Sequence, residues 1–306
     1  MQTNRLWLVY AVITMVAWGL WGAIINHPQE NGFPETLGYL AWSLTMLPPA
    51  AIALAMVGWK LEYDSRSLVL GLSAGLLGAG GQLLLFQTVP NMAPGYLVFP
   101  FIALSPLVTI VLAAVVSRER VHLLGWIGVV LAIVAGVLLN LQDSGGNVER
   151  QSGWVIFAIG VLLAWGIQGY VISFANNTMK AESIFFYMAI TAVALAPVAW
   201  WMTDSPQGAN WGLSGFGLSA AIGFLNSIGA LLLVYAYRYG KAIIVSPLIN
   251  AGAPVITALL SLVLLTTLPS NAAAVGIVLA IVAAILMAIE EEETEKEAEP
   301  PATESA

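Results

Sequence analysis

The chain has 306 residues, of which 59% are hydrophobic and 9% are charged, and its mean hydropathy is +0.87. Because a soluble domain carries about 25% charged residues, this composition excludes a soluble protein and predicts an all-α, polytopic membrane protein. The absence of cysteine excludes disulfides and cysteine nucleophiles, and the net charge of −7 resides in the acidic segment 290–304, so no basic surface for nucleic acid is expected.

Apolar runs bounded by charged residues, proline and glycine predict ten transmembrane helices. A hydrocarbon core about 30 Å thick needs roughly 20 apolar residues per crossing helix, and single strands cannot cross lipid. In chain order the predicted spans are 6–25, 37–57, 68–88, 94–116, 123–141, 153–175, 183–201, 212–236, 242–264 and 270–289.

The basic residues predict the orientation of these spans. With the N-terminus inside, every Lys and Arg except Arg150 falls at the inner side, and cytoplasmic loops collect such charges. We therefore expect an integral protein of an inner or plasma membrane, embedded in the lipid bilayer, with both termini cytoplasmic. The acidic segment 290–306 is predicted to be a disordered cytoplasmic tail.

A spaced repeat predicts two copies of one module. The twelve residues from Gly128 return 148 positions later from Gly276, with eight identities. Trp18 answers Trp165 at an offset of 147, and Pro106 answers Pro254 at 148. Since each copy has five helices, the second must enter the membrane from the opposite side, as an inverted repeat. The predicted organisation is 1–141 for the first repeat, 142–152 for an extracytoplasmic linker, 153–289 for the second repeat and 290–306 for the tail.

The fourth and fifth spans resemble the drug/metabolite transporter superfamily, and specifically its EamA-type ten-helix permeases. A proline-bearing helix is followed by Ser117-Arg118-Glu119-Arg120-Val121 and by a Gly/Ala-rich helix that begins near Gly125. The second repeat reads Thr266-Thr267-Leu268-Pro269 at the equivalent place, so the Glu-Arg signature is lost there. The resemblance implies a solute carrier, and the superfamily carries amino acids, sugars, nucleotide sugars, polyamines and drugs.

The predicted spans contain no ionisable residue, which disfavours a strongly charged substrate. We expect a small neutral or zwitterionic solute, such as an amino acid, a sugar or a drug-like metabolite, moved by alternating access. Tryptophans and amides deep in the spans are the candidate ligands, although amides also serve as bonds between helices. The side chains predicted to bind substrate are Trp18, Trp21, Gln82, Phe101, Ser105, Thr109, Trp165, Gln168, Asn226, Ser246, Asn250 and Thr257.

Prolines in the fourth and ninth spans predict the hinges of the pathway, because each proline frees a backbone carbonyl that must be satisfied. Two aromatic residues early in the second span are candidate gates of the outer mouth, with an aromatic belt as the alternative. The predicted gating and hinge residues are Pro100, Pro106, Pro247, Pro254, Tyr39 and Trp42.

Other classes of function remain as alternatives. A lipid or polyprenyl-phosphate flippase is the main one, although the spans offer no basic residue for a phosphate. The run Gly212-Leu213-Ser214-Gly215 has the form of an intramembrane serine protease motif, but both histidines precede it and lie in loops, so no enzyme is expected. No catalytic residue, metal or cofactor is predicted, and the fifth and tenth spans are the predicted surface of a homodimer.

Overall fold

The computed structural model describes residues 5–91, 98, 102–140, 153–265 and 270–298. Within them the regular structure is helical, which confirms the all-α fold class. The helices, in chain order, are α1 (Leu6–Ile24), α2 (His27–Glu30), α3 (Glu35–Thr45), α4 (Leu47–Met56), α5 (Ser65–Asn91), α6 (Ser105–Val115), α7 (Leu123–Asn140), α8 (Trp154–Asn176), α9 (Ala181–Trp201), α10 (Leu218–Tyr239), α11 (Ala242–Leu265) and α12 (Asn271–Ala298). A 3₁₀ turn at Pro206–Gly208 and a π-helical turn at Leu213–Gly217 precede α10.

Six stretches of these helices are long and apolar enough to cross a membrane, and four further apolar helices complete the ten predicted spans. The second span is divided into α3 and α4 at Met46, directly before Pro48 and Pro49. A proline lacks the backbone N–H that a continuous helix needs, but it fits the first turn of a new helix. In the fourth span, α6 likewise begins at Ser105 with Pro106 in its first turn.

The helix α12 extends through the glutamates to Ala298, whereas the sequence predicted a disordered tail from residue 290. Glutamate, lysine and alanine are good helix formers, so an apolar helix propagates readily into this segment. Residues 299–306 of the predicted tail and the predicted linker up to residue 152 lie outside the described residues.

The two repeats pack against each other through equivalent contacts. Trp18 in α1 donates its indole N–H to the carbonyl of Asn226 in α10, at 3.2 Å. Trp165 in α8 donates in the same way to the carbonyl of Gly78 in α5, at 3.3 Å. The offsets between the repeats, 147 for the tryptophans and 148 for the acceptors, are those read from the sequence. The first helix of each repeat is therefore anchored on the third spanning helix of the other.

A second pair of equivalent bonds joins the first helix of each repeat to the fourth of the other. Thr109 in α6 donates its hydroxyl to the carbonyl of Gly166, at 2.7 Å, and Thr257 in α11 donates to the carbonyl of Gly19, at 3.0 Å. A glycine at each acceptor lets the two backbones approach closely enough for the short threonine side chain to reach across.

The last helices of the repeats, α7 and α12, pack against each other. A Cβ atom placed on Gly128 would lie 3.2 Å from the carbonyl oxygen of Ala283, and one on Gly276 would lie 3.2 Å from that of Ala135. The contact is reciprocal, because Gly128 corresponds to Gly276 and Ala135 to Ala283. The faces of both helices that point away from the bundle are exposed and apolar. A homodimer through this pair stays a prediction.

Candidate functional site

A cavity of about 550 Å³, which includes its open mouth, lies between α1, α3, α5 and α10. The connection 25–34 forms part of its rim, so the cavity lies at one end of the bundle. We call this the outer end, because the basic residues predict that it faces away from the cytoplasm, and we call the opposite end the inner end. The cavity is a candidate site for solute binding.

Five aromatic rings line the cavity. These are Trp21, Phe33, Tyr39, Trp42 and Phe86. Tyr39 meets Trp42 edge to face at 5.2 Å and Phe86 at 6.4 Å. Such a wall offers apolar area and ring faces that also attract cations. The predicted gate residues Tyr39 and Trp42 therefore stand together with predicted ligand Trp21 at the cavity, although their roles in gating and binding stay predictions.

Four polar side chains of the cavity lack protein partners, whereas the Tyr39 hydroxyl donates to the carbonyl of Ala192. Gln82 of α5 and Asn226 of α10 line it, and neither side-chain amide has a hydrogen bond within the described structure. The same holds for the Glu35 carboxylate and the Ser219 hydroxyl. Polar groups inside a membrane protein require a partner or water. This cluster is therefore poised to bind water or a polar solute.

Amides elsewhere in the bundle donate to backbone carbonyls, although the Oδ1 of Asn176 is buried without a partner in the described structure. Gln168 donates to the carbonyl of Ala74 at 3.1 Å, and Asn250 donates to that of Ser246 at 2.9 Å. Asn176 donates to the carbonyl of Val234 at 2.9 Å. Gln168 and Asn176 thus bond between helices and Asn250 bonds within its own helix, whereas Gln82 and Asn226 face the cavity, a distinction that the sequence left undecided.

Several of the predicted ligands lie away from this cavity. The side chains of Trp18, Trp165, Gln168, Thr109 and Thr257 all bond to backbone carbonyls of neighbouring helices, as described above. Each is thus a contact between the repeats in this conformation. Whether any of them also meets a solute stays a prediction.

The other predicted residues are distributed along α6 and α11. Ser105 and Ser246 are buried. Pro247 and Pro254 lie inside a continuous α11, and Pro106 is in the first turn of α6. Phe101 and Pro100 lie outside the described residues. The cavity residues Phe33 and Pro28 were missed, because they belong to a connection between two predicted spans.

The inner end of the bundle is closed by hydrogen bonds and stacked rings. Tyr235 donates its hydroxyl to the Glu182 carboxylate at 2.6 Å, and its ring stacks on Tyr10 at 5.2 Å. Tyr187 donates to the carbonyl of Glu62 at 2.6 Å. The described residues thus form a cavity at the outer end and close contacts at the inner end, which we call the inner seal.

Glu119 belongs to the Glu-Arg signature that follows the fourth span, and it contacts the other repeat at the inner end. Its Oε2 accepts the backbone N–H of Ile243 at 3.1 Å, in the first turn of α11. Burial raises the pKa of the Glu119 carboxyl, and the backbone N–H groups of Ile243 and Ala242 and the charge of Lys241 oppose that rise. The carboxylate thus caps a helix of the second repeat, where N–H groups lack intrahelical partners.

The fold and the cavity define a class of protein, a polytopic helical membrane protein built from two inverted halves around a polar and aromatic pocket. The model of the EamA-like transporter family matches residues 5–141 and 152–289, so the chain belongs to that family. It is thus a membrane transporter of the drug/metabolite type.

Comparisons with individual proteins add support for the fold alone. A solved crystal structure of a protein superposes with a TM-score of 0.74, covering 92% of this chain and 98% of that chain at 19% identity. The curated proteins include no match to this chain.

Proposed function

We propose that the protein transports a small neutral or zwitterionic solute by alternating access, and that the outer cavity is the binding site of its outward-facing state. The single observation that carries this proposal is the pair of unpartnered amides, Gln82 and Asn226, on a ring-lined wall. Binding sites for small molecules combine mainly apolar walls with a few polar groups that fix orientation.

Alternation is supported by the inverted repeats. Two bonds that anchor α1, from Trp18 to Asn226 and from Thr257 to Gly19, have equivalents that anchor α8, so the two halves share this part of their packing about a pseudo-two-fold axis. At the inner end Tyr235 bonds to Glu182 and stacks on Tyr10 of the first repeat, whereas the cavity is at the outer end. Exchange of the two packings would seal the outer end and open the inner end.

A flippase is not favoured. No lysine or arginine is among the residues that line the described cavity, so a lipid phosphate would find no counter-charge there. The unpaired carboxylate of Glu35 would repel it.

Binding to purified full-length protein in lipid nanodiscs tests the site. A thermal-shift screen against a metabolite library identifies ligands, because a ligand stabilises the state that binds it. We expect Gln82→Leu and Asn226→Leu each to weaken the affinity for the best ligand about two- to tenfold, the loss of one hydrogen bond.

Asn176→Leu is the matched control, since this amide bonds to the carbonyl of Val234 at the sealed end. It should lower the melting temperature of the free protein and leave the ligand-induced shift unchanged. Equal loss of ligand affinity in all three variants would show that the amides act only on stability, and would contradict the proposed site.

A further inference from the structure

Two glutamates occupy equivalent places in the two repeats. Glu35 is the first residue of α3, and Glu182 is in the first turn of α9. They are 147 positions apart, the offset that also relates Trp18 to Trp165. Since the repeats are inverted, one carboxylate lies at the outer end and the other at the inner end.

The two carboxylates differ in their partners. Glu182 at the sealed end accepts the hydroxyl of Tyr235 at 2.6 Å. Glu35 at the open end is half-buried and lines the cavity, and no hydrogen bond or ion pair satisfies it within the described structure. Burying an anion without a partner is unfavourable. Glu35 therefore lacks the hydrogen-bond partner that its equivalent has.

Aromatic rings accompany both carboxylates. Phe33, Trp21 and Trp42 line the cavity with Glu35. At the inner end Tyr235 stacks on Tyr10 at 5.2 Å, and Tyr10 stacks on Tyr239 at 5.9 Å. A carboxylate beside ring faces is the chemistry that binds an ammonium group, through ionic hydrogen bonds and cation–π attraction. The same combination is thus present at both ends.

We propose that the transported solute carries a protonated amine, which Glu35 binds at the outer end and Glu182 binds at the inner end when the protein faces the other way. The proposal rests on the transport function above and adds the charge of the solute. It also gives a role to Glu35, which lay outside the predicted spans because the second of them began at residue 37. In a zwitterionic solute, the amide N–H groups of Gln82 and Asn226 are available to donate to the anionic group at the opposite end.

The outer half of the proposal is tested with a matched pair of probes, 2-phenylethylamine and its neutral isostere 2-phenylethanol. Both are titrated onto the full chain in lipid nanodiscs, with tryptophan fluorescence as the readout. We expect the amine to bind more tightly than the alcohol. Glu35→Gln should weaken amine binding about ten- to hundredfold, the range for a hydrogen bond to a charged group, and leave alcohol binding unchanged.

Glu30→Gln is the control, because Glu30 is an exposed acid of the same connection and does not line the cavity. It should leave both affinities unchanged. Equal affinity for the two probes in the wild type would overturn the proposal, as would an equal loss for both in Glu35→Gln. If neutral solutes still bind through Gln82 and Asn226 in that case, the transport proposal survives. If no solute binds the cavity, both proposals fail.

The inner half is tested by a double-mutant comparison. Glu182→Gln keeps an acceptor for the Tyr235 hydroxyl, so the inner seal should hold and amine binding at the outer end should stay unchanged. Tyr235→Phe removes the donor and should raise the inward-facing population. In that background, adding Glu182→Gln should weaken amine binding, by a factor limited by the outward-facing fraction that still binds through Glu35. The same small effect of Glu182→Gln in both backgrounds would overturn the role of the inner carboxylate.

Discussion

In this protein, hydrogen-bond partners rather than residue types distinguish the side chains that face the cavity from those that bond neighbouring helices. Gln168 and Gln82 have the same chemistry, yet the first is bonded to Ala74 and the second faces a cavity. The depth of a residue in a span is visible in the sequence, but the direction of its side chain is not. For that reason Trp18 and Trp165 were predicted as ligands and are found bonding neighbouring backbones.

Glu119 illustrates how one residue of the family signature stabilises the fold across the repeats. Its carboxylate caps α11, so Glu119→Ala should lower the free energy of unfolding by about 0.5–2 kcal/mol, the usual range for a lost helix cap. Thermal unfolding in nanodiscs measures this. An unchanged melting temperature would show that water or Lys241 replaces the cap.

The titration of Glu119 gives a separate prediction. Because burial raises its pKa above the ordinary value of 4.5, the folded protein holds the proton more tightly than the unfolded chain. The contribution of Glu119 to stability is therefore greatest below pH 4.5, falls as the pH rises from 4.5 to the raised value, and is constant above it. In melting curves at several pH values, Glu119→Gln should lack this part of the pH dependence. A parallel decline in both proteins would contradict the assignment.

At the scale of helices, small residues decide which elements pack closely. A Cβ atom on Gly75 of α5 would lie 2.7 Å from the Cβ of Thr191 and 3.0 Å from the Cα of Met188 in α9. The second of these is backbone and cannot turn away. Gly80, in the same helix, has no neighbour within 4 Å of such an atom.

These two glycines form a matched pair for mutation. Gly75→Ala should destabilise the protein by about 1–3 kcal/mol through overpacking. Gly80→Ala should cause no loss, since the space is open and alanine avoids the entropy cost of glycine, about 0.5–1 kcal/mol. Thermal unfolding of both variants measures the difference. Equal melting temperatures would show that α5 and α9 separate without cost.

Most of the helical elements were predictable from the sequence, because length and apolar composition are properties of a single segment. The ten spans and their inverted pairing follow from these and from the constant offset. The division at Met46 was missed, although Pro48 and Pro49 gave the signal for it. The start of α3 at Glu35 was also missed, since a charged residue beside Pro34 was assigned to the connection. The cavity could not be predicted as a whole, because it depends on how four helices and a connection meet.

For the whole molecule, the proposed outward-facing state can be tested with a reporter placed at the cavity. The chain contains no cysteine, so a single cysteine can be introduced for labelling without removing others. Gly38 lines the cavity, and a Cβ atom there would make only an ordinary contact with Ser219 Oγ, at 3.6 Å.

We expect Gly38→Cys to react with a membrane-impermeant maleimide. Adding Tyr235→Phe removes a bond of the inner seal and should shift the balance toward the inward-facing state about two- to tenfold, which slows labelling. Tyr63→Phe is the control, because Tyr63 is 78% exposed. Labelling at the same rate with Tyr235→Phe would show that this bond does not hold the inner end closed.

The reciprocal contact of α7 and α12 has an evolutionary consequence. Gly128 meets Ala283, and their counterparts Gly276 and Ala135 meet in the same way. Two copies of a single module form such a reciprocal interface around a two-fold axis. In such an ancestral pair every mutation would act at both ends of the molecule at once. Copies joined in one chain are free of that constraint. The symmetry is kept where α7 and α12 pack, whereas Trp21 lines the cavity and its counterpart Gln168 bonds to Ala74.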